Sequence, residues 1–413
     1  MDAAGRLFLD ILKQGLKGQQ YTPEGELDEA QWQRILKMAW DHHLTPLIFE
    51  AAHNAPGLKD TALAASTRRQ VRQIVAAQAR KTAEFLELND RLLQAGITPL
   101  VVKGLVCRNL YPLPDHRISG DEDILIPTGQ YPLACRIMEE YGMTTPQREV
   151  DPEQIQEVPW KKTDSPLFVE LHLNLFPPYS TAYGELNRYF RDVFCRAEAL
   201  ECQGKRILTM NPADHLFYLI CHAFKHFLHS GFGIRQVCDI VMFGRHYEDR
   251  INWARLYQNC RDIRAERFVA ALFEIGRNHL ELTPPEEYRN AWRDITVDEL
   301  PLLEDLLESG VYGGADIERR HSSNITLSAA ADRNQGRKQR NGVIQSLFPP
   351  VSSLSVRYPY LKKAPVLLPV AWISRIVTYG KQNGRKTAAS SAQSVRIGNS
   401  RLELMRRYGI LDE

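Results

Sequence analysis

The chain has 413 residues and a formal net charge of +2, with 44% hydrophobic and 25% charged residues. It is long enough to bury a full core across two or three subdomains, and its composition is that of an ordinary soluble protein. No run approaches the roughly 18 uninterrupted apolar residues of a membrane span, and an N-terminus with Asp2 and only a short apolar patch does not read as a secretory signal.

Seven cysteines are dispersed without a C-x-x-C pair. That pattern suits reduced thiols better than a disulfide framework, so a cytoplasmic location is expected. The charge is uneven. Between Arg333 and Arg401 stand thirteen Lys/Arg and no Asp/Glu, whereas residues 1–332 carry 37 basic and 47 acidic residues, a net of −10. An acidic body bears a basic tail.

Residues 5–95 repeat apolar positions at three- and four-residue steps and predict helices throughout. Asp28 is placed to cap the second, Thr45-Pro46 interrupts the pattern after it, and Gly96 closes a long helix over 61–93. The character changes at Ile97. ITPLVV is a short, β-rich run ending at Lys103-Gly104, followed by a helix-like segment at 105–111 and a loop over 112–120. A strand over 121–126, a helix over 131–141 and strands near 143–150, 156–161 and 167–173 complete a mixed α/β unit. Helices return from Pro212. Residues 313–345 are polar and read as a linker or mobile loop, 361–379 is apolar but broken by prolines, and 380–400 reads as weakly ordered.

Asp121 and Asp123 lie two apart at the head of the apolar run Ile124-Leu125-Ile126. In a strand, that spacing puts both carboxylates on one side of the sheet, where a divalent cation relieves their repulsion. Taken alone, D-x-D more often marks a solvated turn. Here VELHLNL offers a second strand with Glu170 and His172 on one face. Three carboxylates from neighbouring strands could hold two Mg²⁺ roughly 3.5–4 Å apart, the arrangement that serves phosphoryl chemistry.

The pattern of an apolar strand ending in Lys103-Gly104, a helix, Arg117-x-Ser119-Gly120-Asp121-x-Asp123 and a later Glu170 resembles the polymerase-β-like nucleotidyltransferase superfamily. The closer resemblance is to a family of uncharacterised bacterial nucleotidyltransferases. It covers about residues 95–245, with a weaker likeness at YPYLKKAPVLLPVAWISRI. The resemblance implies a small mixed sheet flanked by helices; with the chain-order pattern this gives an α+β fold, with an α/β core over 96–210, an N-terminal helical region over 1–95, a helical domain over 211–312 and a basic linker and C-terminal arm over 313–413. It implies a transferase that moves a nucleoside monophosphate from an NTP to an acceptor and releases pyrophosphate. The cofactor would be Mg²⁺, two ions, with Mn²⁺ as a substitute. Asp121, Asp123 and Glu170 would be the catalytic metal ligands; Lys103, Gly104, Arg117, Ser119, Gly120 and His226 would bind the nucleotide. The acceptor would be a small molecule, peptide or protein, with nucleic acid not favoured. Where the superfamily commonly has Ser or a second Gly after the first glycine, this chain has Leu105, and the separation from Gly104 to Asp121 is long.

His222, His226 and His229 share one helix face, with Asp239 on the next helix. They read either as a packing face or as metal ligands. Two alternative functions therefore stay open: a helical His/Asp metal-dependent phosphohydrolase, and a catalytically silent nucleotide- or partner-binding protein. No G-x-x-x-x-G-K-[ST] segment is present, which argues against a P-loop NTPase. For the tail, an arm that wraps the acidic body, an anionic macromolecule and a membrane surface are the competing readings.

Overall fold

The computed structural model describes residues 1–310, 317–336, 351–354, 358–362, 364–374 and 387–412. The chain begins with four helices, α1 (Ala3–Leu16), α2 (Glu29–Asp41), α3 (Thr45–Ala52) and α4 (Ala62–Gln94). Each start has a local cause. Asp2 accepts from the Gly5 amide, Asp28 and Gln31 form a reciprocal capping box, Pro46 sits in the first turn of α3, and Thr61 accepts from the Ala64 amide. After α4 the chain turns at Gly96, whose φ of +81° is a left-handed conformation favoured by glycine.

A seven-stranded mixed sheet follows, so the fold is α+β. Its strands are β1 (Leu100–Val102), β2 (Glu122–Leu125), β3 (Met143–Thr144), β4 (Glu157–Lys162), β5 (Phe168–His172), β6 (Glu198–Cys202) and β7 (Lys205–Thr209), in the spatial order β3-β4-β5-β2-β1-β7-β6. β1 pairs antiparallel with β2 and parallel with β7, while β2 and β5 are parallel. Helices α5 (Gly104–Arg108) and α6 (Tyr131–Glu140) connect the first three strands.

The third strand is shorter than its sequence suggests, because pairing with β4 involves only Met143 and Thr144. The hairpin β6–β7 was not anticipated. Its turn places Gln203 at φ +50° and Gly204 at φ +73°. Two successive positive φ values match the twist of a tight hairpin. The hairpin lays β7 beside β1 and leads directly into α7 (Pro212–His229).

The remaining longer helices are α8 (Ile234–His246), α9 (Trp253–Asp262), α10 (Glu266–Leu280), α11 (Glu286–Ala291), α12 (Leu300–Ser309), α13 (Ile317–Asn334) and, as α14, the helix Thr387–Arg407, with a single turn at Val351–Leu354 between the last two. One continuous hydrophobic core runs from Phe8 to Leu411. α13 lies inside the stretch expected to be a linker; residues 313–316 and 337–345 of that stretch, and residues 380–386 of the second polar segment, lie outside the described residues. Its polar sequence hides a docking face. Ile325 and Ala329 are buried, and Arg319 reaches both the Ser230 carbonyl at 2.7 Å and Asp305 at 2.7 Å. α13 packs against α7 and α14. Arg401 of α14 caps the end of α7 by donating to the carbonyls of Phe227 and His229. Gly398 allows the close crossing, because a Cβ there would lie 2.6 Å from Ile325. The described end of the basic tail thus folds back onto the body.

Candidate functional site

The site lies where β1, β2 and β5 meet α7 and α8. β1 ends at Val102, and Lys103 makes the turn into α5 with φ +54° and ψ −110°. This conformation is costly for a residue with a Cβ and must be held by its surroundings. Three contacts hold it. The Lys103 amide donates to His215 Nε2 at 3.1 Å, Thr209 Oγ1 lies 3.2 Å from His215 Nδ1, and the Thr209 hydroxyl donates to the Val101 carbonyl at 2.7 Å. Because the threonine proton is used on Val101, His215 Nδ1 carries the proton and Nε2 accepts. Burial keeps this imidazole neutral, pushing its pKa down to about 3. The outcome is a lysine aimed at the carboxylates, its Nζ 2.8 Å from Asp123 Oδ1 and 3.1 Å from His222 Nε2.

Gly104 has a steric reason of its own. An added Cβ would sit 2.6 Å from Glu122 Oε2. Glu122 alternates with the two aspartates and is fully buried, where Arg108 donates to Oε1 from both terminal nitrogens at 2.7–2.8 Å. Ser119 belongs to this network. Its hydroxyl donates to Glu122 at 2.9 Å and accepts from Arg108 at 2.7 Å, its amide donates to Gln78, and Lys81 donates to its carbonyl. Burial lowers the Lys81 pKa to about 8 despite the nearby Glu122.

On the other side of the strand, Asp123 pairs in register with Glu170, and Leu125 with His172. His172 Nε2 lies 2.8 Å from Asp123 Oδ1 and 3.7 Å from Glu170 Oε2, and Glu157 lies 3.5 Å from Nδ1. Burial raises the Asp123 carboxyl, but Lys103 and His172 outweigh it and hold the group well below the usual range. The other two acids move the opposite way. Burial and the Asp123 charge raise Asp121, and burial with Asp123, Glu157 and Asp121 pushes Glu170 up to about 8. His172 is raised: burial favours its neutral form, but bonding to Asp123 prevails.

These side chains line a cavity of roughly 150 Å³ that also includes Lys103, Gly104, Arg117, Ser119, Asp121, His222 and His226. Gly120 is exposed and does not line it. Arg117 borders the cavity but is engaged by a buried two-nitrogen ion pair with Asp239 at 2.6 and 3.2 Å, and Tyr111 donates to the same carboxylate at 2.8 Å. Asp239 is therefore the partner of Arg117 rather than of the histidines. His222 and His226 approach each other with Nε2 atoms 3.2 Å apart, and both are held neutral by burial. His229 is exposed, away from the cavity. Lys225, Arg235, Gln236, Gln156 and Glu157 also line it, with Leu219 and Ile240 as its apolar part. Sequence reasoning missed Arg235, Gln236, Gln156 and Glu157; Arg235 lies in the first turn of α8, one turn before Asp239, and its placement depends on how that helix crosses the Ile118 carbonyl to which it donates.

The arrangement fits a divalent cation. Asp123, Glu170 and His172 each offer a donor atom, and these atoms all lie within 4.8 Å of one another. Among the described residues this is the one such group of three. Crowded carboxylates with raised pKa values signal unrelieved negative charge, and hard oxygen donors with one imidazole suit Mg²⁺ or Mn²⁺. Lys103 supplies part of the counter-charge.

A family model described as an uncharacterised nucleotidyltransferase matches residues 28–280, from the cap of α2 to the end of α10. The match extends beyond the strand region on both sides, over α2–α4 and α7–α10. No match was found among curated proteins or solved structures.

Proposed function

Because the chain belongs to the uncharacterised nucleotidyltransferase family, a transferase acting on an NTP, we propose that it transfers a nucleoside monophosphate to an acceptor hydroxyl or phosphate at the Asp121–Asp123–Glu170 centre. The acceptor oxygen attacks the α-phosphorus, the bond from that phosphorus to the bridging oxygen breaks, and pyrophosphate leaves. The observation carrying this reading is the register of Asp123 with Glu170 on adjacent strands, with Asp121 two residues before Asp123. Asp121, Asp123 and Glu170 would hold Mg²⁺, two ions in the fullest form. When bound, the ions supply electrostatic stabilisation of the attacking and leaving oxygens.

The chain's own residues do the rest. Glu170 is the carboxylate placed to accept the acceptor proton, and His172 orients Asp123 through its 2.8 Å contact. Lys103, Lys225 and Arg235 bring positive charge to a cavity lined by acids and suit the triphosphate. His226 borders the same space as a neutral donor or acceptor for phosphate or base. Arg117 and Ser119 support the loop from behind, through Asp239 and Glu122, and Gly120 shapes the exposed turn before Asp121. The helical phosphohydrolase reading loses its aspartate to Arg117.

Incubation with each α-labelled NTP, Mg²⁺ and a cell extract, followed by mass analysis of labelled species, tests the proposal. A product one nucleoside monophosphate heavier than its acceptor supports it; release of inorganic phosphate alone would instead favour hydrolysis.

A further inference from the structure

The segment 365–374 carries a cluster of exposed aliphatic side chains. Its helical turns are apolar on both faces, and only one face is covered. Leu368, Ala371 and Trp372 turn inward onto a small cluster with Leu354, Leu361, Val351 and Tyr358 that is separate from the main core. Val366, Val370 and Ile373, spaced at helical steps of four and three, point outward with 82, 54 and 63% of their surface exposed. A helix apolar all round is ordinarily buried in protein or lipid. At this length it is far too short to span a bilayer.

The sequence around the segment indicates what covers it. Lys362, Lys363, Arg375 and Lys381 flank it, within a stretch from Arg333 to Arg401 that has no acid. An acidic protein partner or a nucleic acid would answer the cations but leave the aliphatic face unexplained. A neutral apolar partner would leave the cations unexplained. The combination of exposed aliphatics, Trp372 and flanking Lys/Arg is the chemistry of insertion at the surface of an anionic bilayer.

We propose that residues 365–374 form an interfacial membrane anchor, with Val366, Val370 and Ile373 entering the acyl boundary and the flanking Lys/Arg meeting anionic headgroups. This would tether the protein to an anionic membrane surface. The inference stands independently of the reaction proposed above.

Full-length protein is sedimented with vesicles of pure phosphatidylcholine and of phosphatidylcholine containing about one third phosphatidylserine. The wild type is expected to pellet with the anionic vesicles, less so as salt rises, and poorly with neutral ones. Val370→Glu with Ile373→Glu, both exposed, should weaken that binding roughly tenfold or more while circular dichroism and oligomeric mass stay unchanged. Three results would overturn the proposal: no binding to either vesicle, equal binding by the double variant, or a wild-type dimer that the double variant dissociates, which would make a second copy the occupant.

Discussion

Asp123 and Glu170 face each other in register across the parallel pair β2–β5, yet their carboxyl groups are held in opposite states. Lys103 and His172 keep Asp123 ionised against its burial, whereas burial and the Asp123 charge push Glu170 up to about 8. One short register thus creates a charge imbalance that a divalent cation would remove.

The pH behaviour of the ion-free protein follows from this. Glu170 has a folded pKa above its unfolded one, so its contribution to stability is full below pH 4.5 and is lost as pH rises through about 8. Its side chain is 24% exposed, which screens the effect to on the order of 2 kcal/mol. Urea unfolding in chelator should show Glu170→Gln more stable than wild type at pH 8.5 and equal to it near pH 4. The same variant should lose transfer activity by about 10³-fold, as expected of a group acting on the reaction itself.

Lys103 competes with any cation for Asp123, since its Nζ lies 2.8 Å from Oδ1. Lys103→Met should therefore tighten Mn²⁺ binding, by roughly tenfold at low salt, while weakening binding of the nucleotide triphosphate. Calorimetry with Mn²⁺ alone and then with a non-hydrolysable nucleotide separates the two effects. Unchanged Mn²⁺ affinity would remove the counter-charge role.

Glu122 and Arg108 are a fully buried pair directly behind the site, with side-chain exposures of 0 and 1%. Removing one partner strands a charge in the interior, so Arg108→Met should cost about 3–5 kcal/mol in urea unfolding. Arg108→Met together with Glu122→Leu should recover a large part of that loss. A cost below about 1 kcal/mol for the single variant would indicate that the pair is solvated in solution.

Acid sensitivity should come from buried neutral histidines. His42 is lowered to about 4 and His215 to about 3, in both cases by burial. The unfolded chain binds these protons near pH 6.5 and the folded chain does not, so stability falls as pH drops from 6.5 towards 4. Each histidine contributes a slope of about 1.4 kcal/mol per pH unit in that window. His42→Leu should reduce the measured slope by that amount.

Much of this site was legible before the structure. The strand period of two placed Asp121 with Asp123 and Glu170 with His172, and both features rest on local geometry alone. Asp28 and Gly96 marked helix ends for the same reason. What the sequence obscured depends on tertiary partners. Arg117 and Ser119 both border the cavity, but the Asp239 ion pair that holds the first and the Glu122–Arg108 network that holds the second leave no mark on the local sequence pattern. α13 reads as a polar linker because its burial is supplied by α7 and α14 rather than by a strong apolar stripe. The β6–β7 hairpin is short, and the Gln203-Gly204 turn that creates it is a weak signal in isolation.

The central claim is tested most directly by pyrophosphate release. Wild type and the Asp121→Ala/Asp123→Ala variant, both shown folded by circular dichroism, are supplied with each NTP, Mg²⁺ and cell extract as the source of acceptor. The account predicts Mg²⁺-dependent pyrophosphate from the wild type, matched by nucleotidylated product, and none above background from the variant. Equal release by the variant, or none from the wild type with any NTP, would contradict it.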